Sequence, residues 1–268
     1  TRDELVRMMV GRTLSQYYAK DDHTTSEVIL RVQDLVTTVS PHKLSFELHR
    51  GEILGFSGLV GAGRSELMKA IFGADKKVSG KIFLHGEEIT IHSPRDAISH
   101  GIAMISEERH REGLVLRNTV EFNTSLLCLD QFIRNLRVDK KTEDRIVDDQ
   151  VKSMRIKISN PQQLAINLSG GNQQKVVLGK WLAKKPEIII LDEPTRGIDV
   201  ASKAEIYESM NRLTAAGCSI IMISSELPEV MGMSDRVCVM MEGKITTVLD
   251  RAELTQEKIM HYSVGEKM

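Results

Sequence analysis

The distribution of apolar and polar residues predicts a sheet domain built from short strands and intervening helices. Residues 28–32 and 43–48 alternate apolar and polar side chains, as half-buried antiparallel strands do. Residues 188–191 are continuously aliphatic, which is typical of a strand buried on both faces, and residues 52–57 form a second buried strand. Further strands are predicted at residues 81–86, 101–106, 219–224 and 236–240, with a last short strand after residues 242–244.

Helical spacing appears at residues 66–72, 176–183 and 201–215. Residues 119–158 differ from their surroundings because helix formers and charged side chains dominate there and β-branched runs are few. We interpret this region as a helical subdomain, about residues 119–182, inserted between two parts of the sheet domain.

The two ends of the chain resemble each other. An Arg-x-Glu-Leu sequence occurs at residues 2–5 and again at residues 251–254, and each is followed by a helical pattern. One interpretation is that residues 1–27 are the last helix of a preceding homologous domain plus a polar linker. Residues 28–250 are then the main domain and residues 251–268 a C-terminal helix and tail; a short similarity of this kind also arises by chance.

Composition narrows the class of protein. The 36 basic and 37 acidic residues leave a net charge of −1, which argues against a broad nucleic-acid-binding surface. The three cysteines, at positions 128, 218 and 238, lie far apart and lack metal-binding spacing, as expected for reduced cytosolic thiols. No apolar run approaches the roughly 18 residues of a membrane span, so a role at a membrane would depend on another subunit.

A glycine-rich loop follows the buried strand at residues 52–57 and precedes a predicted helix. Strand, glycine loop and helix in this order are the context in which a phosphate-binding loop is credible. The glycines allow consecutive backbone N–H groups to surround a phosphate, and the Ser65 hydroxyl is placed to bind Mg²⁺. The spacing fits G-x-x-x-x-G-K-[ST] except at Arg64, which replaces the lysine. The candidate phosphate-binding residues are Gly58, Leu59, Val60, Gly61, Ala62, Gly63, Arg64, Ser65 and Glu66.

A second candidate anion site lies at residues 168–175, Leu-Ser-Gly-Gly-Asn-Gln-Gln-Lys, which we call the signature segment. Ser169, Gly170 and Gly171 precede a helical pattern, and free amides at a helix N-terminus attract negative charge. Taken alone, the serine is more simply an ordinary N-cap. Asp192 and Glu193 end the aliphatic strand at residues 188–191, where parallel sheets bind ligands.

Together, these motifs resemble the nucleotide-binding domain of ABC transporters over residues 28–250. The resemblance rests on the order of phosphate loop, helical insert, Leu-Ser-Gly-Gly, acid-terminated strand and the Gly-Ile-Asp of residues 197–199. The signature segment, Asp-Glu-Pro-Thr-Arg-Gly-Ile-Asp at 192–199 and Ser-Ser-Glu-Leu-Pro-Glu-Val at 224–230 are similar to one subfamily. That subfamily comprises the ATPase subunits of bacterial monosaccharide importers of the ribose, galactose and xylose types, specifically their second nucleotide-binding domain.

The resemblance implies an α/β fold of the P-loop NTPase class, with a mixed central sheet, an antiparallel β subdomain and an inserted α-helical subdomain. It also implies ATP and Mg²⁺ as cofactors. By position, residues 58–65 would hold the triphosphate, Asp192 the Mg²⁺ shell, and Glu193 the attacking water. Ser169, Gly170 and Gly171 would contact the ATP of a partner domain, and Asp199 would lie at the seam between the two domains.

The implied partners are a homologous N-terminal domain of the same polypeptide, membrane permease subunits and, indirectly, a periplasmic sugar-binding protein. The implied location is the cytoplasmic face of the cell membrane, as a peripheral protein, and no nucleic-acid partner is expected. The chemistry is phosphoryl transfer to water, which depends on positioning and on charge stabilisation.

The chain departs from the family pattern at several positions. Arg64 replaces the phosphate-binding lysine, and a planar guanidinium is not equivalent to a compact ammonium. Glu107 stands where a glutamine that binds Mg²⁺ is usual, and Ser225 stands in place of a histidine that contacts the γ-phosphate. No clear aromatic residue precedes Phe46 to stack on adenine. We therefore expect retained or weakened ATP binding at this site, with slow hydrolysis.

Two alternatives stay open at this point. A soluble ABC-type ATPase that acts on nucleic acid or the ribosome usually carries basic arms or a long coiled-coil insert, and the near-neutral charge and the short insert at residues 119–158 argue against it. A non-hydrolysing regulatory module is favoured by Arg64, Glu107 and Ser225 but opposed by Asp192 and Glu193.

Overall fold

The computed structural model describes Tyr18 and residues 20–265. The helix predicted at residues 1–12 therefore lies outside the described residues. In chain order the strands are β1 (Val28–Thr37), β2 (Leu44–His49), β3 (Ile53–Gly58), β4 (Lys77–Leu84), β5 (Glu87–Ile89), β6 (Ile102–Ile105), β7 (Ile133–Arg134), β8 (Arg137–Val138), β9 (Ile188–Asp192), β10 (Ser219–Ile223), β11 (Arg236–Met241) and β12 (Lys244–Asp250).

The helices are named in the same way. They are α1 (Arg64–Phe72), α2 (Pro94–Ser99), α3 (Val120–Ser125), α4 (Leu129–Phe132), α5 (Lys140–Ser153), α6 (Gly170–Leu182), α7 (Val200–Ala215), α8 (Leu227–Met233) and α9 (Gln256–Val264). Short helical turns lie at Arg109–Gly113, Leu126–Cys128, Ala165–Asn167 and Arg251–Glu253.

The central sheet is mixed, as predicted. Its order is β12-β11-β3-β10-β9-β6, and β6, β9, β10, β3 and β11 run parallel while β12 is antiparallel to β11. Strand β9 shows why its residues are continuously aliphatic. Ile188 and Ile190 belong to the hydrophobic core on one face of the sheet, and Ile189 and Leu191 belong to the core on the other.

The predicted antiparallel subdomain is a four-stranded sheet in the order β2-β1-β4-β5. Its alternating apolar side chains join the first core face: Leu30 and Val32 of β1 pack with Phe46 and Leu48 of β2. Phe46 also contacts Phe56 of β3, with ring centroids 5.1 Å apart. The two sheets therefore share one hydrophobic core.

The inserted subdomain predicted at about residues 119–182 contains α3, α4, α5 and α6, but it is not purely helical. Strands β7 and β8 form a hairpin within it, which the sequence pattern did not predict. Asn135 and Leu136 form the two-residue turn with φ of 49° and 61°, as a type I′ turn requires. Strands of two residues are too short to produce a recognisable alternation.

The segment before β1 lies against the domain. Lys20 is 1% exposed at its side chain and forms an ion pair with Asp235, with Lys20 Nζ 3.0 Å from Asp235 Oδ1. The Tyr18 ring lies 5.3 Å from that of Tyr207 and packs on Gly232, where a Cβ would come within 2.4 Å of it. The polar composition at residues 19–27 gave no indication of this docking.

Among the helices of the described residues, none combines the length and the apolar character needed to cross a membrane.

Candidate nucleotide-binding site

The order of the central sheet brings three candidate segments together. Strands β3, β10 and β9 are neighbours and parallel, with Phe56 paired to Ile223 and Ile223 paired to Asp192. Their carboxyl ends therefore lie side by side at one edge of the sheet, which is where open parallel sheets bind ligands. The glycine loop follows β3, Ser225 follows β10, and Asp192 and Glu193 end β9.

The glycines of the loop at residues 58–65 adopt the conformations that the motif predicts. Gly58, Gly61 and Gly63 have φ of 154°, 84° and 89°, which residues with a side chain rarely adopt. A Cβ at Gly58 would come within 2.2 Å of the Met240 carbonyl oxygen, so packing also requires glycine there. A Cβ at Gly61 would meet no other atom within 4 Å, which leaves room for a phosphate.

The remaining loop residues fall into two groups. Leu59 and Val60 at the tip are 47% and 94% exposed, whereas Ala62 is buried and its N–H donates to the Leu59 carbonyl. Glu66 lies in the first turn of α1, which begins at Arg64, two residues earlier than predicted. The reason is that Gly63, in the left-handed conformation, ends the loop directly before Arg64.

Arg64 is turned towards the sheet. Its side chain is buried, and Nη1 donates a 3.0 Å hydrogen bond to the carbonyl oxygen of Ser224, just past the end of β10. Its charge also lowers the pKa of the carboxyls of Asp192 and Glu193, against a larger opposing effect of burial. Arg64 therefore carries positive charge to the sheet edge, and one of its donors is occupied by the protein backbone.

The predicted magnesium ligands Ser65 and Asp192 are in contact. Ser65 Oγ donates to Asp192 Oδ1 at 3.1 Å, and Asp192 is buried. Burial raises the pKa of Asp192, and the hydrogen bond from Ser65 opposes that shift. A hydroxyl and a carboxylate oxygen at the edge of a glycine loop are the donors that Mg²⁺ prefers, so this pair fits a magnesium–nucleotide complex.

Glu193 and Ser225 also meet. Ser225 Oγ donates to Glu193 Oε2 at 3.2 Å, and the backbone N–H of Glu193 donates to the Ile223 carbonyl. Burial raises the pKa of Glu193, with the Ser225 hydrogen bond opposing it. Glu193 has φ of 49°, an uncommon conformation for a residue with a side chain, and such strain concentrates at functional sites.

Glu107 is engaged elsewhere. Its carboxylate forms an ion pair with the Arg196 guanidinium, in the loop between β9 and α7. The expectation that Glu107 serves as a metal ligand thus meets a competing cation that the sequence pattern did not indicate. To bind Mg²⁺, Glu107 would have to leave Arg196, and its role as a metal ligand stays a prediction.

The signature segment begins α6. Ser169 is the exposed N-cap, and its Oγ accepts from the Asn172 side-chain amide at 3.0 Å. Gly171 packs tightly on α7, where a Cβ would lie 2.0 Å from Ser202 Oγ. An exposed serine at the start of a helix is compatible with both interpretations of this segment, an ordinary N-cap and an anion-binding site.

Asp199 lies beside the signature segment. It caps α7, accepting from the Ser202 N–H at 3.0 Å and from the Ser202 hydroxyl at 2.7 Å. These two hydrogen bonds lower the pKa of Asp199. Its Oδ2 would be 3.5 Å from a Cβ at Gly171, so Asp199 and the signature segment form one surface.

Arg109 connects this surface to the turn after β6, and sequence reasoning missed it. Its guanidinium donates to the carbonyl oxygens of Arg196 at 2.8 Å and Gly197 at 3.4 Å. Nη2 would be 3.2 Å from a Cβ at Gly170. No local motif distinguishes Arg109 from other exposed arginines, since its partners lie 87 and 88 residues away in sequence.

The family model described as ABC transporter matches residues 41–196. The chain belongs to the ABC transporter family. The predictions of this family and of an ABC-type α/β fold are thereby confirmed.

Curated relatives in this family carry a more specific name. The chain is 49% identical to the ribose import ATP-binding protein of Caldanaerobacter subterraneus subsp. tengcongensis over 99% of its length, which is 54% of that protein. It is 46% identical to the protein of the same name from Clostridium tetani, covering 99% of this chain and 53% of that protein. The chain thus spans about half the length of these relatives.

Solved ABC structures share the fold at lower identity. The ADP conformation of MJ1267, an ATP-binding cassette of an ABC transporter, superposes with a TM-score of 0.75 at 22% identity, covering 89% of this chain and 99% of that one. The cbiO1 protein from Clostridium perfringens gives a TM-score of 0.72 at 23% identity, covering 87% and 93% of the two chains.

Proposed function

We propose that this ABC domain binds ATP and powers the import of a sugar through a membrane permease. The proposal has two further parts: its own phosphate loop hydrolyses ATP slowly, and its signature segment completes the site of a partner domain. The support for sugar import is the name shared by relatives that are 46–49% identical, which designates ribose import. Ribose is accordingly the first sugar to test.

The proposal that this chain's own site is weakened rests on one observation, the hydrogen bond from Arg64 Nη1 to the Ser224 carbonyl oxygen. This bond uses one of the five N–H donors of the buried guanidinium and restrains its orientation, which limits how its remaining donors can meet a phosphate. Glu107, paired with Arg196, would have to leave a cation to approach Mg²⁺. Both contacts cost part of the binding energy of the nucleotide.

The chain nevertheless retains the residues for hydrolysis. Bound Mg²⁺ would neutralise charge on the β- and γ-phosphates, and Ser65 and Asp192 are the residues placed to hold it. The Glu193 carboxylate would orient the attacking water and accept its proton, and the Ser225 hydroxyl fixes the position of that carboxylate. Ser225 has no ionised form that could stabilise the γ-phosphate as an imidazolium would.

The trans role is supported by the exposure of the signature segment. Ser169 is exposed at the start of α6 beside Asp199, while the phosphate loop packs on the ends of β11 and β12: Gly243 N–H donates to the Ala62 carbonyl. We propose that Ser169, Gly170 and Gly171 contact ATP held by a homologous domain of the same polypeptide. The permease, and indirectly a periplasmic sugar-binding protein, are further partners at the cytoplasmic face of the membrane.

The experiment uses the full-length polypeptide, assembled with its permease in vesicles. Ser169→Arg should reduce ATP hydrolysis by about 100-fold, since it blocks a transition-state contact, while nucleotide affinity at this chain's own loop changes less than about twofold. The matched control is Ser99→Arg, an exposed serine at the end of α2, which should leave both quantities unchanged.

Two results would contradict the proposal. If Ser169→Arg weakens binding at this chain's own loop as strongly as it slows hydrolysis, the signature segment does not act in trans. If this domain alone turns over faster than about 10 per second, a typical enzymatic rate, and loses that activity with Glu193→Gln, its own site is not weakened.

A further inference from the structure

A buried carboxyl that is not part of the predicted site lies against the loop that carries Glu193. Glu229, in the first turn of α8, is 1% exposed. Thr195 Oγ1 donates to Glu229 Oε1 at 2.8 Å, and the neighbouring hydroxyls of Ser224 and Tyr207 lower the pKa of this carboxyl against the larger, opposite effect of burial. None of the motifs behind the proposed function assigns a role to it.

The partners of Glu229 come from two different strand ends. Thr195 follows β9 and lies two residues after Glu193, whereas Ser224 follows β10 and directly precedes Ser225. The Thr195–Glu229 hydrogen bond therefore ties the segment after β9 to the first turn of α8, which continues the segment after β10, and these two segments hold the Glu193–Ser225 hydrogen bond. The Ser224 hydroxyl joins the same arrangement by accepting from the Glu226 N–H at 3.0 Å. The Ser224 carbonyl is also the acceptor of Arg64, so the same point is tied to the phosphate loop.

An isolated buried carboxyl is costly, and this one accepts a hydrogen bond from Thr195 and lies near two further hydroxyls. Burial raises the pKa of Glu229, and the hydroxyls of Ser224, Thr195 and Tyr207 oppose that shift. An apolar side chain of the same volume would fill this position without the desolvation penalty. The polar network is therefore explained better by what it positions than by its contribution to stability.

We propose that Glu229 is a positioning residue that fixes the loop after β9 against the loop after β10 and so holds Glu193 in place for hydrolysis. The inference rests on the proposed function in taking Glu193 as the residue that orients water. It adds the mechanism by which Glu193 keeps its uncommon backbone conformation, with φ of 49°. Glu229 does not contact the reacting atoms and acts through Thr195 and Ser224.

The test compares Glu229→Gln, which keeps the volume and one acceptor, with Glu229→Leu, which removes both acceptors. In the full-length polypeptide carrying Ser169→Arg, which suppresses hydrolysis at the partner's site, Glu229→Gln should lower the remaining kcat for ATP by about tenfold and leave the affinity for a fluorescent ATP analogue within about twofold. Glu229→Leu should lower kcat further. Hydrogen–deuterium exchange should rise by about tenfold at residues 193–196 and 224–226 and stay unchanged in the rest of the sheet.

The control for simple destabilisation is Val230→Ala. Val230 follows Glu229 in α8, is fully buried and packs in the core beside β11. Val230→Ala should lower the melting temperature of the protein. It should not raise hydrogen–deuterium exchange at residues 193–196 and 224–226, and it should not lower kcat while leaving nucleotide affinity unchanged. If the Glu229 variants change kcat and exchange only in proportion to their loss of stability, as Val230→Ala does, the inference is wrong.

Exchange at the two loops also separates this inference from the proposed function. If the wild-type protein hydrolyses no ATP at all, the proposed function fails, while the exchange of residues 193–196 and 224–226 still decides the role of Glu229. If exchange at these loops is the same in wild type and in both variants, Glu229 does not position them, whatever the ATPase rate.

Discussion

The Arg64 guanidinium and the Ser224 carbonyl oxygen are joined by a 3.0 Å hydrogen bond between residues that lie 160 positions apart in the sequence. The bond links the start of α1, directly after the phosphate loop, to the segment that carries Ser225. Because Ser225 in turn donates to Glu193, two side chains, those of Arg64 and Ser225, link the glycine loop to the carboxylate that we propose as the hydrolytic one.

Replacing Arg64 by lysine should increase nucleotide affinity. A lysine side chain is shorter than arginine and lacks the Nη1 donor that bonds to the Ser224 carbonyl oxygen. It presents one compact ammonium, which suits the β- and γ-phosphates. We expect the Kd for a fluorescent ATP analogue to fall by about tenfold, the effect of one additional charge-assisted hydrogen bond. Arg95→Lys, the same exchange at an exposed position in α2, is the control. An unchanged or weaker affinity would contradict the interpretation that Arg64 weakens the site.

Ser225→Ala should shift the pH dependence of hydrolysis. The Ser225 hydrogen bond lowers the pKa of Glu193, against the raising effect of burial, so its removal raises that pKa further. Glu193 acts as a base only when it is ionised, and activity is lost as pH falls through its pKa. The acidic limb of kcat against pH should therefore move to higher pH. A shift to lower pH, or none, would show that another group controls this limb.

Gly171→Ala should disturb the contact between α6 and α7. A Cβ at this position would lie 2.0 Å from Ser202 Oγ and 2.5 Å from Ser202 Cβ. Overpacking of this kind costs about 1–3 kcal/mol in the free energy of unfolding. Gly170→Ala is the matched control, because its Cβ would come no closer than 3.2 Å to Arg109 Nη2 and 3.3 Å to the Gly197 carbonyl oxygen. Equal unfolding free energies for the two variants, measured by urea denaturation, would refute the close packing.

Lys20→Met should destabilise the domain. The variant leaves Asp235, which is 9% exposed, without its cation, and the loss of one partner of a buried pair costs about 3 kcal/mol. Lys43→Met is the control, since the Lys43–Asp34 pair is exposed on both sides and is worth less than about 1 kcal/mol. If both variants unfold at the same urea concentration, the segment before β1 is not anchored by Lys20.

Local patterns predicted much of the fold and of the site. The continuous aliphatic run at residues 188–191 gave β9 because a strand buried on both faces has no polar positions. The glycine spacing at residues 58–63 gave the loop, since only glycine adopts these φ values without strain. The same patterns misplaced the start of α1 and missed the hairpin of β7 and β8, which are set by single backbone conformations and short pairings.

The sequence by itself thus determined the family, the phosphate loop, the carboxylates at the end of β9 and the signature segment, because each depends on neighbouring residues at fixed spacing. Only the tertiary structure decided that Arg64 bonds to Ser224, that Glu107 pairs with Arg196, and that Glu229 joins two strand ends. These contacts connect distant positions whose meeting follows from the strand order β3-β10-β9-β6. Strand order depends on how helices pack over both faces of the sheet, and no local spacing encodes it.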